Sequence, residues 1–457
     1  MLEQQRPSAV SRLPALRRRS RSAAEIRRPT EPGPAQTGSA LTAVAEIHPG
    51  RLESLDRLLT EIGDDIRNNP HIRFEQLTTV HFMRWVILRR RDGAAADYLA
   101  LETNYDGTLD AHLADLAQAA GDTLHRIYSH CSGYALAGNR FGPSERVALA
   151  SFLKARAVPS AAFYVAHPSK SARRIRLEAE VYDAIQAFLD AEGERARRQA
   201  PRVLYQRIRD HLRDRGLLAP LLLPQRPPPA REHLLQVGLR LLPLLAGPLL
   251  GLPLLLPPLL LKERTDRQWD PSRFDDRFER VPALASQEDR QVQNPLTHLV
   301  RVKPGPLRRF AVARVLATID VLARHYYNQG DLGGIATIHF ARWALLDDDR
   351  TLLFFSNYDG SWENYLGDFI DIASIGLTSI WSNTVDFPRS FLLLFGGARD
   401  EERFKSWTRA HQVYTQVWFS AYPKLTTRNI ADNHRVAEGL ARELTDDDAI
   451  REWLQLV

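Results

Sequence analysis

Six side chains stand in two matching triplets. His81 and Arg84 lie in HFMRWVIL (residues 81–88), followed by Asp106 in NYDG (104–107). His339 and Arg342 lie in HFARWALL (339–346), followed by Asp359 in NYDG (357–360). A histidine, an arginine and a carboxylate suit proton transfer beside a stabilised anion. The carboxylate or imidazole moves the proton, and the guanidinium holds the developing charge. A carboxylate facing an apolar interior would have a raised pKa suited to that work. The same residues also suit a framework. Asp106 and Asp359 end strands and open helices, as capping residues do. A buried Arg84 or Arg342 needs a carboxylate partner, and the aspartate of NYDG is the obvious one. On a strand, positions three apart face opposite sides, so His81 and Arg84 share a cavity only if a bulge intervenes.

These motifs belong to a longer repeat. Residues 46–50 align with 301–305, 127–134 with 380–387, and 158–168 with 413–423, at offsets near 255. That period is the length of a domain, not of a solenoid unit. Each copy has short β-prone runs (42–47 and 297–302) ending in Pro-Gly, then helical spacing over 52–66 and 310–322. A strand is expected over 77–88, and another over 98–104 with its counterpart at 351–357. A helix follows at 109–119, a strand at 124–130, a helix at 145–157 and a strand at 161–166. The order resembles the ferredoxin-like split βαβ plan, extended by one helix and one strand. Helices then cover one sheet face and leave the other bare, and two copies cover each other. The expected class is α+β: two fused ferredoxin-like repeats pairing sheet to sheet, an intramolecular pseudo-dimer resembling the dimeric α/β-barrel superfamily. The expected units are residues 1–40, a disordered tail; 41–216, the first repeat with C-terminal basic helices; 217–296, an apolar insert; and 297–457, the second repeat.

Tandem ferredoxin-like architecture with Asn-Tyr-Asp-Gly resembles the dye-decolourising haem peroxidases, whose GxxDG aspartate works with an arginine above the haem. That resemblance maps the aspartate onto Asp106 or Asp359 and the arginine onto Arg84 or Arg342. It implies an axial histidine, with His130, His167, His339 and His411 as candidates and haem iron the only metal expected. The leading Gly of that motif is missing; Thr103 and Phe355-Ser356 occupy the region. His130 and His167 face Asn383 and Tyr422 in the other copy, the asymmetry that one haem in one half requires. Cys131 reads as a buried strand cysteine. Walker A, GxGxxG, HExxH, CxxC and GxSxG signatures are missing from the sequence.

The net charge is +6 over 457 residues, and eight arginines lie in the first 40. That Arg-, Pro- and Ser-rich stretch reads as disordered. Nucleic acid is not an expected partner. One cysteine excludes an internal disulfide framework and fits a reducing compartment. Residues 241–261 carry no charge but hold Pro243, Pro248, Pro253, Pro257 and Pro258. Those prolines argue against a plain spanning helix. A span would also part the two repeats. Peripheral or monotopic attachment through residues 234–261, at the cytoplasmic side of a membrane, is expected instead, with the basic stretch 173–215 placed to lie along the bilayer. Two functions follow: a membrane-associated oxidoreductase, haem-dependent and peroxidase-like, acting on a lipophilic small molecule; or a non-catalytic lipid- or partner-binding protein of the same fold.

Overall fold

The computed structural model describes residues 37–89, 96–134, 141–223, 230–270, 272, 281–288 and 291–457, with backbone alone at 243, 245–255 and 287. The expected disordered tail therefore lies outside the described residues except at its last four positions. The first half runs β1 (Ser39–Glu46), α1 (Leu52–Asp64), β2 (Val80–Leu88), β3 (Tyr98–Tyr105), α2 (Leu109–Tyr128), α3 (Pro143–Ala155), β4 (Ala157–Val158) and β5 (Ser160–Val165). Three longer helices follow: α4 (Ala172–Glu192), α5 (Pro201–Asp214) and α6 (Leu234–Thr265). The second half runs β6 (Gln293–Arg301), α7 (Pro306–His325), β7 (Ile338–Leu346), β8 (Thr351–Asp359) and α8 (Trp362–Trp381). It continues with the short strands β9 (Ser390–Phe391) and β10 (Phe395–Gly396), then α9 (Glu401–His411), β11 (Val417–Ser420), α10 (Thr427–Ala441) and α11 (Asp447–Leu454). The fold is α+β with antiparallel sheets.

The two halves trade an edge strand. One sheet has the order β11-β2-β3-β1-β4 and the other β5-β7-β8-β6. Strand β5 of the first half pairs with β7 of the second, with Phe163 opposite Arg342. Strand β11 of the second half pairs with β2 of the first, with Trp418 opposite Arg84. One face of each sheet packs on helices: Leu55, Leu59 and Leu116 on the first, Val312, Trp362 and Leu377 on the second. The other faces meet, where Val86 and Ala100 share a cluster with Ala344 and Phe355. Phe82, Phe340 and Tyr422 form another such cluster.

Three expectations are corrected. Residues 124–130 form no strand. They continue α2, which runs through a kink at Ala120, because Leu124, Ile127 and Tyr128 sit at helical spacing and are buried. The Leu-Pro segment is a continuous helix, α6, despite five prolines. Each interior proline removes one backbone bond and crowds the carbonyl four residues back, and the leucine-rich turns between them are strong helix formers. Among the described residues no helix is long and apolar enough to cross a membrane. Finally, the basic helices do not lie free along a surface. Apolar residues of α4 and α5, among them Val181, Ile208 and Leu212, pack on Val436, Leu440 and Trp453 of α10 and α11.

Glu178 pins α4 to α10. Its buried carboxylate accepts from Lys170 Nζ at 3.1 Å, Arg174 Nε at 2.7 Å and His434 Nδ1 at 2.9 Å. Burial pushes its pKa up, but His434, Lys170 and Arg174 outweigh burial and hold it at about 2 against an ordinary 4.5. The folded state therefore disfavours the protonated acid. This stabilisation is complete above about pH 4.5, is lost as the pH falls toward about 2, and is worth about 3 kcal/mol. Urea denaturation at a series of pH values should show Glu178→Gln less stable near neutrality, with a flatter acid limb. The strand exchange makes a second expectation. Residues 37–223 expressed alone should aggregate or dimerise, and co-expression with 230–457 should yield a soluble one-to-one complex on size exclusion. A monomeric, cooperatively folding fragment would show that the exchanged strands are dispensable.

Candidate functional site

A bulge sits at each motif histidine. Pairing between β2 and β3 shifts between Val80 and Phe82, and between β7 and β8 it shifts between Ile338 and Phe340. The extra residue breaks the alternation. His81 then lies 5.2 Å from the Phe340 ring and His339 lies 5.3 Å from Phe82, between the sheets. Arg84 reaches the same layer. The histidine and arginine of each motif therefore do share the inner side, for the reason the sequence left open.

The aspartate pairs with the histidine, not with the arginine. His81 Nε2 lies 3.0 Å from Asp106 Oδ1, and His339 Nε2 lies 2.7 Å from Asp359 Oδ1. The remaining oxygens accept from helix N-termini: Asp106 from Ala172 N at 2.8 Å, Asp359 from Thr427 N at 2.7 Å. These are α4 and α10, not the helices that follow NYDG, which Thr108 and Ser361 cap. The capping expectation is thus right in kind and wrong in helix. Gly107 and Gly360, at φ +92° and +79°, supply the left-handed turn that lets each chain leave its carboxylate behind. All four side chains are buried.

The halves differ in what closes these pairs. Tyr422 Oη lies 2.8 Å from His81 Nδ1. Burial, with Asp106 and Asp359 next, pushes this phenol far above its ordinary pKa, so it stays protonated. With Nε2–H directed at Asp106, the Tyr422 hydroxyl donates to Nδ1. The residue corresponding to Tyr422 is His167, whose Nε2 lies 3.2 Å from Thr427 O. Burial, then Lys170 and His339, push its pKa down to about 3, so it is neutral. Gln293, with Nε2 3.3 Å from His339 Nε2, bridges to the Tyr422 and Leu425 carbonyls. The difference between His130 and Asn383 carries no chemistry of its own. His130 Nδ1 bonds Arg126 O at 2.8 Å, and Asn383 Nδ2 bonds Ser379 O at 2.9 Å. Each closes the end of its helix in the same way.

Arg84 takes Glu102 as its carboxylate, at 3.0 Å, with both side chains buried. It also crosses to the other sheet, donating to Leu296 O at 3.0 Å, Ser356 O at 2.9 Å and Asn357 Oδ1 at 2.5 Å. The Glu102 position is Phe355 in the second half, so Arg342 has no matching acid. Arg342 Nη2 donates to Val158 O at 3.0 Å, while its Nε and Nη1 have no hydrogen-bond partner among the described residues. Burial lowers its pKa to about 10, against the pull of Glu102 and Tyr105. Thr42, opposite Val158 on β1, has a buried hydroxyl in the same condition. One strand step outward, Ala40 and Phe163 begin a cleft of about 440 Å³ at the seam between β1 and β5. Its walls include Tyr105, Leu109 and Val165, with Arg324 and Asn328 from the α7 end.

The four histidines proposed as axial ligands lie apart. His130 ends α2 and His167 follows β5. His339 is bound to Asp359, and His411 ends α9 with Nδ1 2.9 Å from Trp407 O. None lines the cleft. The space between the two motif histidines is filled by Phe82, Phe340 and Tyr422 at ring contact. These residues do not fit a haem. Among the described residues no group of three or more His, Cys, Asp or Glu is placed to hold a metal ion. Cys131 is buried in a bridge to Ile47 rather than in a strand, and burial, opposed by Arg156, pushes its thiol up to about 12. Glu102, Gln293 and Thr427 were not singled out from the sequence. Glu102 had a signal: it is the one acid on its strand, aligned with Phe355. No family model, curated protein or solved structure matches this chain.

Removing one partner of the Arg84–Glu102 pair should be costly, because the other charge stays buried. Glu102→Gln should destabilise by about 3–5 kcal/mol in urea melts. Arg84→Met combined with Glu102→Met should recover most of that loss.

Proposed function

We propose that the chain is two ferredoxin-like halves closed on each other as an α/β barrel. We infer that it works without catalysis, holding a lipophilic small molecule that carries an acidic group at the cytoplasmic face of a membrane. The observation that carries this reading is the seam cleft. Its walls mix apolar side chains (Leu109, Phe163, Val165) with polar ones, and Phe163 stands opposite Arg342, whose Nε and Nη1 have no hydrogen-bond partner among the described residues. A buried guanidinium with two nitrogens unused suits an acidic group, which would accept from one of them. The acid–base candidates Asp106, Asp359, His81 and His339 are spent on each other and on helix ends. That supports a framework role for them over the peroxidase-like oxidoreductase reading.

Attachment to the membrane fits the surface of α6, where Leu234, Leu235, Leu239 and Leu242 are exposed. These four leucines are uncovered among the described residues, as an apolar contact surface is, while Val237 and Leu259 of the same helix are buried.

The reading is tested by calorimetric titration with oleate and with oleyl alcohol. The wild type should bind the acid, and Arg342→Gln should weaken that binding by about tenfold or more while changing the alcohol little. Absence of binding to either compound would end the reading. So would a Soret band on adding haem, accompanied by peroxide-dependent dye oxidation.

A further inference from the structure

We propose that the β9–β10 hairpin is a finger that inserts into the surface of an anionic bilayer. The inference rests on the membrane-peripheral reading above and adds a contact point outside residues 234–261. The hairpin is only two residues deep, yet Phe391, Leu392, Leu394 and Phe395 are all exposed, Phe391 to 65%. Leu394 N donates to Phe391 O at 3.3 Å, which closes a β-turn. Within it Leu392 and Leu393 have φ of +56° and +59°. Hairpin turns of this kind favour asparagine and glycine, which enter the left-handed region readily, whereas leucine does so at a cost. Polar turn residues would relieve both the strain and the apolar exposure. Leucine at these positions makes sense where the tip leaves water. The corresponding stretch of the first half, residues 138–142, reads GNRFG, so the apolar tip belongs to the second half alone.

The finger is held rigidly at its base. Glu263, in the last turn of α6, accepts from Ser390 Oγ at 2.6 Å and from Leu393 N at 2.8 Å. Thr378 Oγ1 of α8 donates to Gly396 O at 3.2 Å, and Gly397 N donates to Arg389 O at 2.7 Å. One carboxylate therefore ties the hairpin to the Leu-Pro helix.

The charge around the base selects the partner. Lys262, Arg264 and Arg389 flank the finger and are exposed. Among the described residues, Glu263 is engaged with the hairpin, Asp266 with Lys303 and Arg308, Asp386 with Arg267, and Asp400 with Arg403. An apolar tip with a cationic rim matches acyl chains beneath anionic headgroups.

The test is co-sedimentation of the full chain with vesicles of phosphatidylcholine alone and of phosphatidylcholine with phosphatidylserine. The wild type should bind the anionic vesicles and release as salt rises. Phe391→Ser combined with Phe395→Ser should lower the partition coefficient by about tenfold or more at unchanged Tm. Leu392→Cys carrying an environment-sensitive dye should shift to the blue on anionic vesicles. That label is selective, because Cys131 is buried, and it keeps the test intact should the double variant fold poorly. A wild type that binds neither vesicle overturns both this inference and the membrane reading. Equal binding by the finger variant, with loss only in Leu235→Gln combined with Leu239→Gln, overturns the finger and leaves the helix as anchor. A finger variant that changes oligomeric state and not vesicle binding assigns the tip to a second copy of the chain, which also overturns it.

Discussion

The rest of the structure depends on where β5 and β11 find their hydrogen bonds. An edge strand must pair or be protected, because its N–H and C=O groups are a row of unmet demands. Here β5 meets that demand on β7 and β11 meets it on β2, so neither sheet is complete with its own half alone. The exchange also fixes what lies beyond each strand. After crossing, the chain turns back, and the helix that follows presents its first N–H groups to the aspartate of its own half: Ala172 to Asp106 and Thr427 to Asp359. The carboxylate thus does two jobs. It complements the positive end of a helix dipole, and it fixes the ring orientation of the bulged histidine. Seen this way, the repeated motifs are the two clasps of an interlocked pair.

Such clasps explain why residues with a catalytic composition have so little freedom. A general base needs a proton donor within reach and room for a substrate. Each aspartate instead has a fixed imidazole on one oxygen and a backbone N–H on the other. The Arg84–Glu102 pair is equally committed, because Arg84 spans both sheets and ties Leu296, Ser356 and Asn357 to the first. Energetically the buried pair is costly to assemble, and removing one partner costs more than replacing both by apolar side chains.

The duplication, the α+β class and the main strands were legible in the sequence because each rests on local periodicity. Element positions such as β1, β3, β5, α3 and α7 fall close to where alternation or helical spacing places them. Partner choice was not legible. Period-two alternation says which face of β5 is buried and nothing about which sheet receives it. The aspartate was assigned to the arginine because a buried arginine needs a carboxylate, but one bulge residue brings His81 to Asp106 and Arg84 takes Glu102. Residues 124–130 misled because Leu, Ile and Tyr suit a buried helix as well as a strand. The prolines of α6 misled because propensity weighs single residues, while the turns between them are nearly all leucine.

What remains is the asymmetry, which a framework of paired clasps does not require. His130 against Asn383 exchanges residues while preserving a bond to the carbonyl four residues back, and Tyr422 against His167 exchanges a bond to the motif histidine for one to Thr427 O. Glu102 against Phe355 keeps no such bond. It leaves the inner layer with two arginines and one acid, and Arg342 with nitrogens that no described residue satisfies. A buried cation short of partners is costly, and Glu102 is the acid that acts on Arg342 across the sheets. The same half carries the leucine turn at 392–393, a second departure that costs the isolated protein and gains nothing within it. Both departures are local to the second half: the residue aligned with Phe355 is an acid in the first, and the leucine turn lies between β9 and β10.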